Sequence, residues 1–297
     1  MNRIVIGTRG SQLALVQTSL VESALRAVHP ELQIAIEIIK TSGDEKRILP
    51  QGRKGLFTGE IERALRAREI DLAVHSAKDL PSEMTGGLEI CAALPRAAVE
   101  DVLVSKNADS LATVAKGATV GTGSVRRQRQ LRWIRPDLEV VDLRGNVPTR
   151  LRKLAENSWA AIILARAGLD RLKLEDEKFR TIVLPNEQFV PAGGQGVIAL
   201  QIRENDEVAR ELLASVNHAP TLLCLRAERE FLRLLQGDCG TPVGVLAQIE
   251  DDWMSLHAQV FSDSQTEPKM GRLRERITAQ PEASAATLFE SMYGKEN

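Results

Sequence analysis

The chain has 297 residues, of which 43% are hydrophobic and 27% charged, an ordinary globular balance with material for two or three domains. A net charge of −1 and an aromatic content of 3% argue against a nucleic-acid binder, which needs a basic field and stacking platforms. No apolar run approaches the length of a membrane span, and residues 1–10 lack the core of a secretion signal, so a cytoplasmic protein that touches no membrane is expected.

In chain order, residues 3–7 read as a short buried strand, and Ser11 can cap a helix carrying Leu13, Val16, Leu20 and Ala24 at helical spacing. Residues 34–39 form an apolar, β-branched strand, Phe57, Ile61 and Leu65 mark a second helix, and 71–74 a third strand. This alternation predicts a sheet covered by helices. It begins again after about residue 100, with strands at 102–104, 119–121, 138–141 and 160–164 and helices at 124–134 and 147–156. Residues 184–196, rich in Pro and Gly, break the pattern. Beyond them come a strand at 198–202, a helix at 221–235, strands at 243–249 and 254–261 without a helix between them, and a last helix at 285–292. Consecutive strands predict a small antiparallel unit.

The 39 cationic residues are 28 Arg and 11 Lys. Codon bias would produce that ratio, and so would a site that grips carboxylates or phosphates with planar guanidinium forks. Placement favours the second. Gly121-Thr122-Gly123-Ser124-Val125-Arg126-Arg127 ends a strand, turns through small residues and starts a helix, where free N–H groups and the helix dipole favour an anion. Two arginines in that first turn oppose the dipole, and a bound anion would offset them; a solvated basic face continuing through Arg129, Arg132 and Arg135 is the alternative. Arg144-Gly145-Asn146 and Arg150 repeat the form, as do Arg9 and Ser11. In open α/β sheets, ligands bind at the carboxyl ends of the strands. A ligand with several negative groups is therefore expected there, and spacing does not distinguish phosphate from carboxylate.

His75-Ser76-Ala77-Lys78-Asp79-Leu80-Pro81 marks another strand end. Asp79 beside Lys78 would stay ionised and could stabilise a developing cation; a surface ion pair is the alternative, and His75 reads as a structural histidine. Of the three cysteines, Cys91 and Cys224 lie in apolar runs, whereas Cys239 lies in Gly237-Asp238-Cys239-Gly240, a turn that leaves sulfur open to covalent chemistry. Scattered histidines and the absence of Cys-x-x-Cys predict no metal site.

Glu228-Arg229-x-Phe231-x-x-x-Leu235-x-Gly237-x-Cys239-x-Thr241-Pro242-Val243-Gly244 resembles the signature around the cofactor cysteine of the porphobilinogen deaminase (hydroxymethylbilane synthase) family. The likeness continues, in the family's order, through Thr8-Arg9-x-Ser11, Lys54-Gly55-Leu56-Phe57, His75-Ser76-x-Lys78-Asp79, Gly121-Thr122-x-Ser124-x-Arg126-Arg127, Leu143-Arg144-Gly145-Asn146-Val147 and Gly194-Gln195-Gly196. The resemblance implies a transferase of haem biosynthesis that condenses four porphobilinogen molecules into hydroxymethylbilane on a dipyrromethane cofactor, held through a thioether to Cys239. Each substrate would lose ammonia to give an azafulvene, which the free α-carbon of the last pyrrole attacks. Asp79 would be the catalytic residue. Arg126, Arg127, Arg144 and Arg150 would bind the cofactor and chain carboxylates. Arg9, Ser11, Lys54, Lys78, Thr122, Gly123, Ser124, Arg171 and Gln195 would complete the cleft, and Phe57 would pack near the rings.

The implied fold has two α/β domains resembling the halves of a periplasmic binding protein, joined by hinge strands, and a small α+β third domain with an antiparallel sheet. Residues 1–95 with about 195–215 would form domain 1, 96–194 domain 2 and 216–297 domain 3. The implied enzyme is a monomer whose product passes to a uroporphyrinogen-III synthase.

Two positions depart from the family pattern. Gly123 stands where serine is usual, which removes a hydroxyl and keeps the backbone N–H. Asp238 stands where a small residue is usual, and its charge should disfavour the Cys239 thiolate and slow cofactor loading. The rivals are a non-catalytic carboxylate-binding protein of the two-domain receptor type, which leaves the cysteine turn unexplained, and a nucleic-acid binder resting on the Arg126–Arg135 run.

Overall fold

The computed structural model describes residues 1–41, 58–174, 176–237, 241–262 and 266–294. Its strands form three sheets. The first begins with β1 (Arg3–Thr8), whose alternate residues Ile4 and Ile6 are fully buried. Ser11 caps α1 (Gln12–Val28), its Oγ accepting the N–H of Ala14, and Val21 and Leu25 turn onto the sheet. Strand β2 (Gln33–Ile38), helix α2 (Gly59–Arg66), β3 (Leu72–Ser76), a single 3-10 turn (Ala77–Asp79) and β4 (Leu88–Ala93) follow.

The chain then crosses to the second sheet. This contains β5 (Asp101–Ser105), β6 (Thr119–Gly121), α3 (Val125–Ile134), β7 (Glu139–Val141), α4 (Val147–Glu156), β8 (Ala161–Ala165), α5 (Arg166–Leu172) and β9 (Arg180–Val183). It returns as β10 (Ile198–Arg203) and α6 (Glu207–Ala214), which pack into the first sheet. Helix α7 (Ala219–Leu234), β11 (Val243–Glu250), β12 (Trp253–Val260), β13 (Lys269–Arg276) and α8 (Pro281–Tyr293) build the third.

The first two sheets share one topology. Their orders are β2-β1-β3-β10-β4 and β7-β6-β8-β5-β9, with the first three strands parallel and the fourth antiparallel to both neighbours. In each sheet the fourth strand is the one that arrives from the other. Apolar residues cover both faces of both sheets, which is why a strand such as Ala161–Ala165 is an unbroken apolar run.

The two crossing segments are pinned together. Arg96 donates through Nε to the Gln195 carbonyl at 2.9 Å and grips both oxygens of the fully buried Glu228 at 2.6 and 3.1 Å. Glu228 also accepts the N–H groups of Gly194 and Ala247. One buried carboxylate thus ties the return segment, the third sheet and α7 to Arg96.

The α/β architecture with two mixed sheets and a small antiparallel third agrees with the expected fold class. Five elements go beyond the sequence reading: β4, α5, β9, α6 and β13. Helix α5 starts directly at a strand end, with Ala165 offering no side-chain cap and Gly168 inside it, so no start signal marks it. Strand β13 alternates toward exposed arginines, the charged form of a sheet edge.

Candidate active site

A cavity of about 260 Å³ opens where the first two sheets meet α7. The first sheet contributes Lys78, Asp79 and Ser82. The second contributes Gly123, Ser124, Arg126, Arg127 and Arg150. Gln195 comes from the return segment, Arg229 from α7, and Gly237 and Thr241 from either side of the cysteine turn.

Each lining group is held by its local structure. The Asp79 turn is stopped by the Leu80 N–H, which donates to the Ala77 carbonyl, and by Pro81. Ser124 caps α3 with its Oγ toward the Arg127 N–H at 3.5 Å. Asn146 caps α4 by accepting the Thr149 N–H, and Gly145 takes φ +117°, a conformation that suits glycine. Arg150 donates through Nε to the Gly145 carbonyl at 2.7 Å. A side chain at Gly123 would put its Cβ 2.6 Å from the Leu143 carbonyl, so the missing hydroxyl comes with a close approach of two turns.

Arg126 and Arg127 are nearly buried, and both grip Asp101 at the start of β5. Arg126 Nη1 donates to Asp101 Oδ2 at 2.7 Å, and Arg127 donates to Oδ1 through Nε at 3.1 Å and Nη2 at 2.7 Å. An internal carboxylate therefore offsets the charge that opposes the α3 dipole. The two guanidiniums hold the Asp101 carboxyl well below the usual carboxylate range against its burial. One excess positive charge remains in the cluster. Arg126 Nε is a buried donor and Gln195 Oε1 a buried acceptor, each without a protein partner among the described residues.

Burial lowers Lys78 to about 8, with the charges of Arg127 and Arg126 adding to it and those of Asp79 and Asp101 opposing it. Arg150 falls to about 10, through burial first and then Arg127, with Asp79 opposing. Asp79 thus acts electrostatically on cations from both sheets.

Not every expected residue lines this cavity. Arg9 and Ser11 stay at the β1–α1 turn, where Ser11 serves as a cap. Thr122 is fully buried, and its Oγ1 accepts the Ser124 N–H. Arg144 is exposed and paired with Asp142 at 2.8 Å. Arg171 donates to the Gly196 carbonyl. Lys54, Phe57 and Cys239 lie outside the described residues. His75 is buried against Gln201 at 3.0 Å and lowered to about 4 by that burial, a structural role. Burial pushes the Cys91 and Cys224 thiols up to about 12, as suits inert residues, Cys224 in the core and Cys91 partly buried against it.

The sequence reading missed Asp101 and Arg229. Arg229 donates to the carbonyls of Pro81 and Ser82 and approaches Met84 Sδ, joining α7 to the turn that follows Asp79. It stood inside the cysteine motif, but nothing in the sequence places it beside Pro81.

A bound dipyrromethane would bring carboxylates and pyrrole N–H groups. The lining fits both: excess cationic charge, the partnerless Arg126 donor, and the partnerless Gln195 acceptor.

Two family models cover most of the chain. The model described as porphobilinogen deaminase, dipyromethane cofactor binding domain, matches residues 4–211, and the porphobilinogen deaminase C-terminal domain matches 222–294. The porphobilinogen deaminase of Roseiflexus sp. (strain RS-1) is 48% identical over 260 residues, 86% of this chain and 85% of its own. That of Moorella thermoacetica is 43% identical over 298 residues, 99% of this chain and 94% of its own. Among solved structures, substrate binding domain 2 of GlnP from Lactococcus lactis aligns with 80% of this chain and 91% of its own at a TM-score of 0.44 and 12% identity, too loose a likeness to carry an argument. On the two family models and these relatives, the chain belongs to the porphobilinogen deaminase family.

Proposed function

We propose that this chain condenses four porphobilinogen molecules into hydroxymethylbilane, and that the cavity around Asp79 is where each condensation occurs. The observation that carries this reading is one carboxylate facing cations from two sheets, beside the residues that flank Cys239.

When bound through a thioether to Cys239, the dipyrromethane supplies the terminal pyrrole α-carbon on which the chain grows. Asp79 accepts pyrrole N–H groups and stabilises the positive charge left on the substrate ring as ammonia departs. Lys78, Arg126, Arg127 and Arg150 bind acetate and propionate side chains, Arg126 through its remaining Nε donor. Gln195 Oε1 takes an N–H. Gly123 and Ser124 shape the floor, and Arg229 holds the turn beyond Asp79 in place. Arg9, Ser11, Thr122, Arg144 and Arg171 act from outside the cavity, on a longer chain or on the structure around it. Lys54 and Phe57 complete the cleft.

The three sheets correspond to three domains, with residues 1–95 and about 195–215 in the first, 96–194 in the second and 216–297 in the third. The enzyme works as a cytoplasmic monomer, and its product passes to a uroporphyrinogen-III synthase.

The test is turnover. Purified protein incubated with porphobilinogen should release ammonia and form hydroxymethylbilane, with both lost in Cys239→Ser. Tight porphobilinogen binding without ammonia release would favour the receptor reading instead.

A further inference from the structure

A second cavity, of about 450 Å³, lies on the face of the third sheet turned away from α7 and α8. Among the described residues, none lines both cavities. The strand register sets the far wall: His257 on β12 stands opposite Arg272 on β13, and Ser255 stands opposite Arg274. The near wall is Asn186 and Glu187, from the segment that leaves the second sheet.

Three features give this cavity a defined chemistry. Asn186 Oδ1 and His257 Nε2 are buried polar atoms without a protein partner among the described residues, and an unmet buried polar atom is costly. The charges are of both signs, with the Arg272 and Arg274 guanidiniums from β13 and the Glu187 carboxylate from the segment after β9. Both poles act on the same imidazole: burial and Arg272 lower His257 to about 4, and Glu187 opposes them, so the ring is neutral at pH 7.

A simple anion would meet Glu187, and a simple cation would meet two guanidiniums. A molecule carrying both poles satisfies each wall. We propose that this cavity binds a small amino-carboxylate. The carboxylate lies on Arg272 and Arg274, the ammonium donates to Glu187 and Asn186 Oδ1, and His257 Nε2 supplies a further hydrogen bond. The cavity is within the size range of small-molecule sites. Two sources share this chemistry: free amino acids, and porphobilinogen, which carries an aminomethyl group and two carboxylates. The site does not depend on how the first cavity works.

The test reads the His257 ring by NMR in 15N-histidine-labelled holoenzyme, with its signal assigned by His257→Gln. Titration with 5-aminopentanoate should shift the signal saturably, with glutarate and pentylamine each about tenfold weaker. Arg272→Gln, an exposed position outside the first cavity, should weaken 5-aminopentanoate by about tenfold while leaving turnover unchanged. In a further arm, porphobilinogen is added to Asp79→Asn, whose turnover is slowed by about 10²–10³, and the signal is read before the substrate is consumed. A shift at lower concentration than 5-aminopentanoate identifies the enzyme's own substrate as the occupant, and no such shift identifies a non-pyrrole amino-carboxylate. A His257 signal unmoved by 5-aminopentanoate to about 50 mM, equal shifts with glutarate, or undiminished binding in Arg272→Gln would overturn the proposal.

Discussion

The first two sheets have the same strand order and the same pattern of directions, yet they bring different chemistry to the cavity. In both, a central strand ends in a Gly-Ser turn that caps a helix: Gly10-Ser11 before α1, and Gly123-Ser124 before α3. In the first sheet the next strand, β3, runs into a single 3-10 turn that presents Lys78 and Asp79. In the second, the equivalent β8 runs into helix α5. The fourth strand differs most. It begins with apolar Ile198 in the first sheet and with Asp101 in the second, where that carboxylate holds two buried arginines. One frame, used twice, thus sets a single acid against a cationic wall. The specialisation lies in a few residues at strand ends and not in the topology.

Removing the acid of the first sheet should have the largest effect. Asp79→Asn should lower kcat by about 10²–10³, as loss of a group that stabilises developing charge does. A loss under tenfold would move the chemistry away from the first sheet. Removing the acid of the second should act on stability. Asp101→Asn leaves two buried guanidiniums uncompensated and should cost about 3–5 kcal/mol in urea unfolding. Stability equal to wild type would mean the pair is not the second sheet's defining feature.

The same acid sets a pH window. Asp101 has a depressed folded pKa, so its contribution is fully present above the ordinary carboxylate range and is lost as pH falls toward its lowered value. His75, lowered from 6.5 to about 4, acts earlier: the unfolded ring binds protons first, so stability falls between those values on acidification. His75→Gln should reduce the slope of the upper part of the acid-unfolding curve by about half, since His257, lowered to about 4 as well, still acts there, and leave the lower part unchanged.

The helix-capping turns sharpen the comparison further. A Cβ at Gly123 meets the Leu143 carbonyl at 2.6 Å, whereas one at Gly10 meets the methyl of Ile38 at 3.2 Å. Gly123→Ala should therefore cost about 1–3 kcal/mol and Gly10→Ala less, by thermal or urea unfolding. Equal costs would mean the second turn is no tighter than the first.

The smallest effect concerns Lys78. Its folded pKa of about 8 lies below the ordinary lysine value, so its charge is lost as pH rises through 8. KM for porphobilinogen should rise above that pH, with kcat less affected, and Lys78→Arg should remove the rise. A KM independent of pH from 7 to 9 in wild type would take Lys78 out of carboxylate binding.

Much of this was legible in the sequence because local signals carried it. Ser124 and Asn146 mark helix starts, Pro148 suits the first turn of α4, and the apolar runs mark buried strands. The adjacent arginines Arg126 and Arg127 signalled an anion correctly, but the anion in contact with them is Asp101, 25 residues earlier. No single-sequence pattern says that β5 starts beside α3. Arg9, Ser11 and Arg144 stand at strand-to-helix turns of one form, whereas Arg171, in the last turn of α5, is assigned by the resemblance alone. The cavity sits at only some of those turns, and only the packing of sheet against sheet decides which. The topology shared by the two sheets was hidden for a related reason: each completes itself with a strand from the far side of the other.

The central claim, that Cys239 carries the dipyrromethane, is tested most directly by the intact mass of the purified protein beside Cys239→Ala. An excess equal to two linked pyrrole units in wild type, absent from the variant, is the predicted result. A plain polypeptide mass in wild type that gains nothing on incubation with porphobilinogen, or an excess retained in Cys239→Ala, would contradict it.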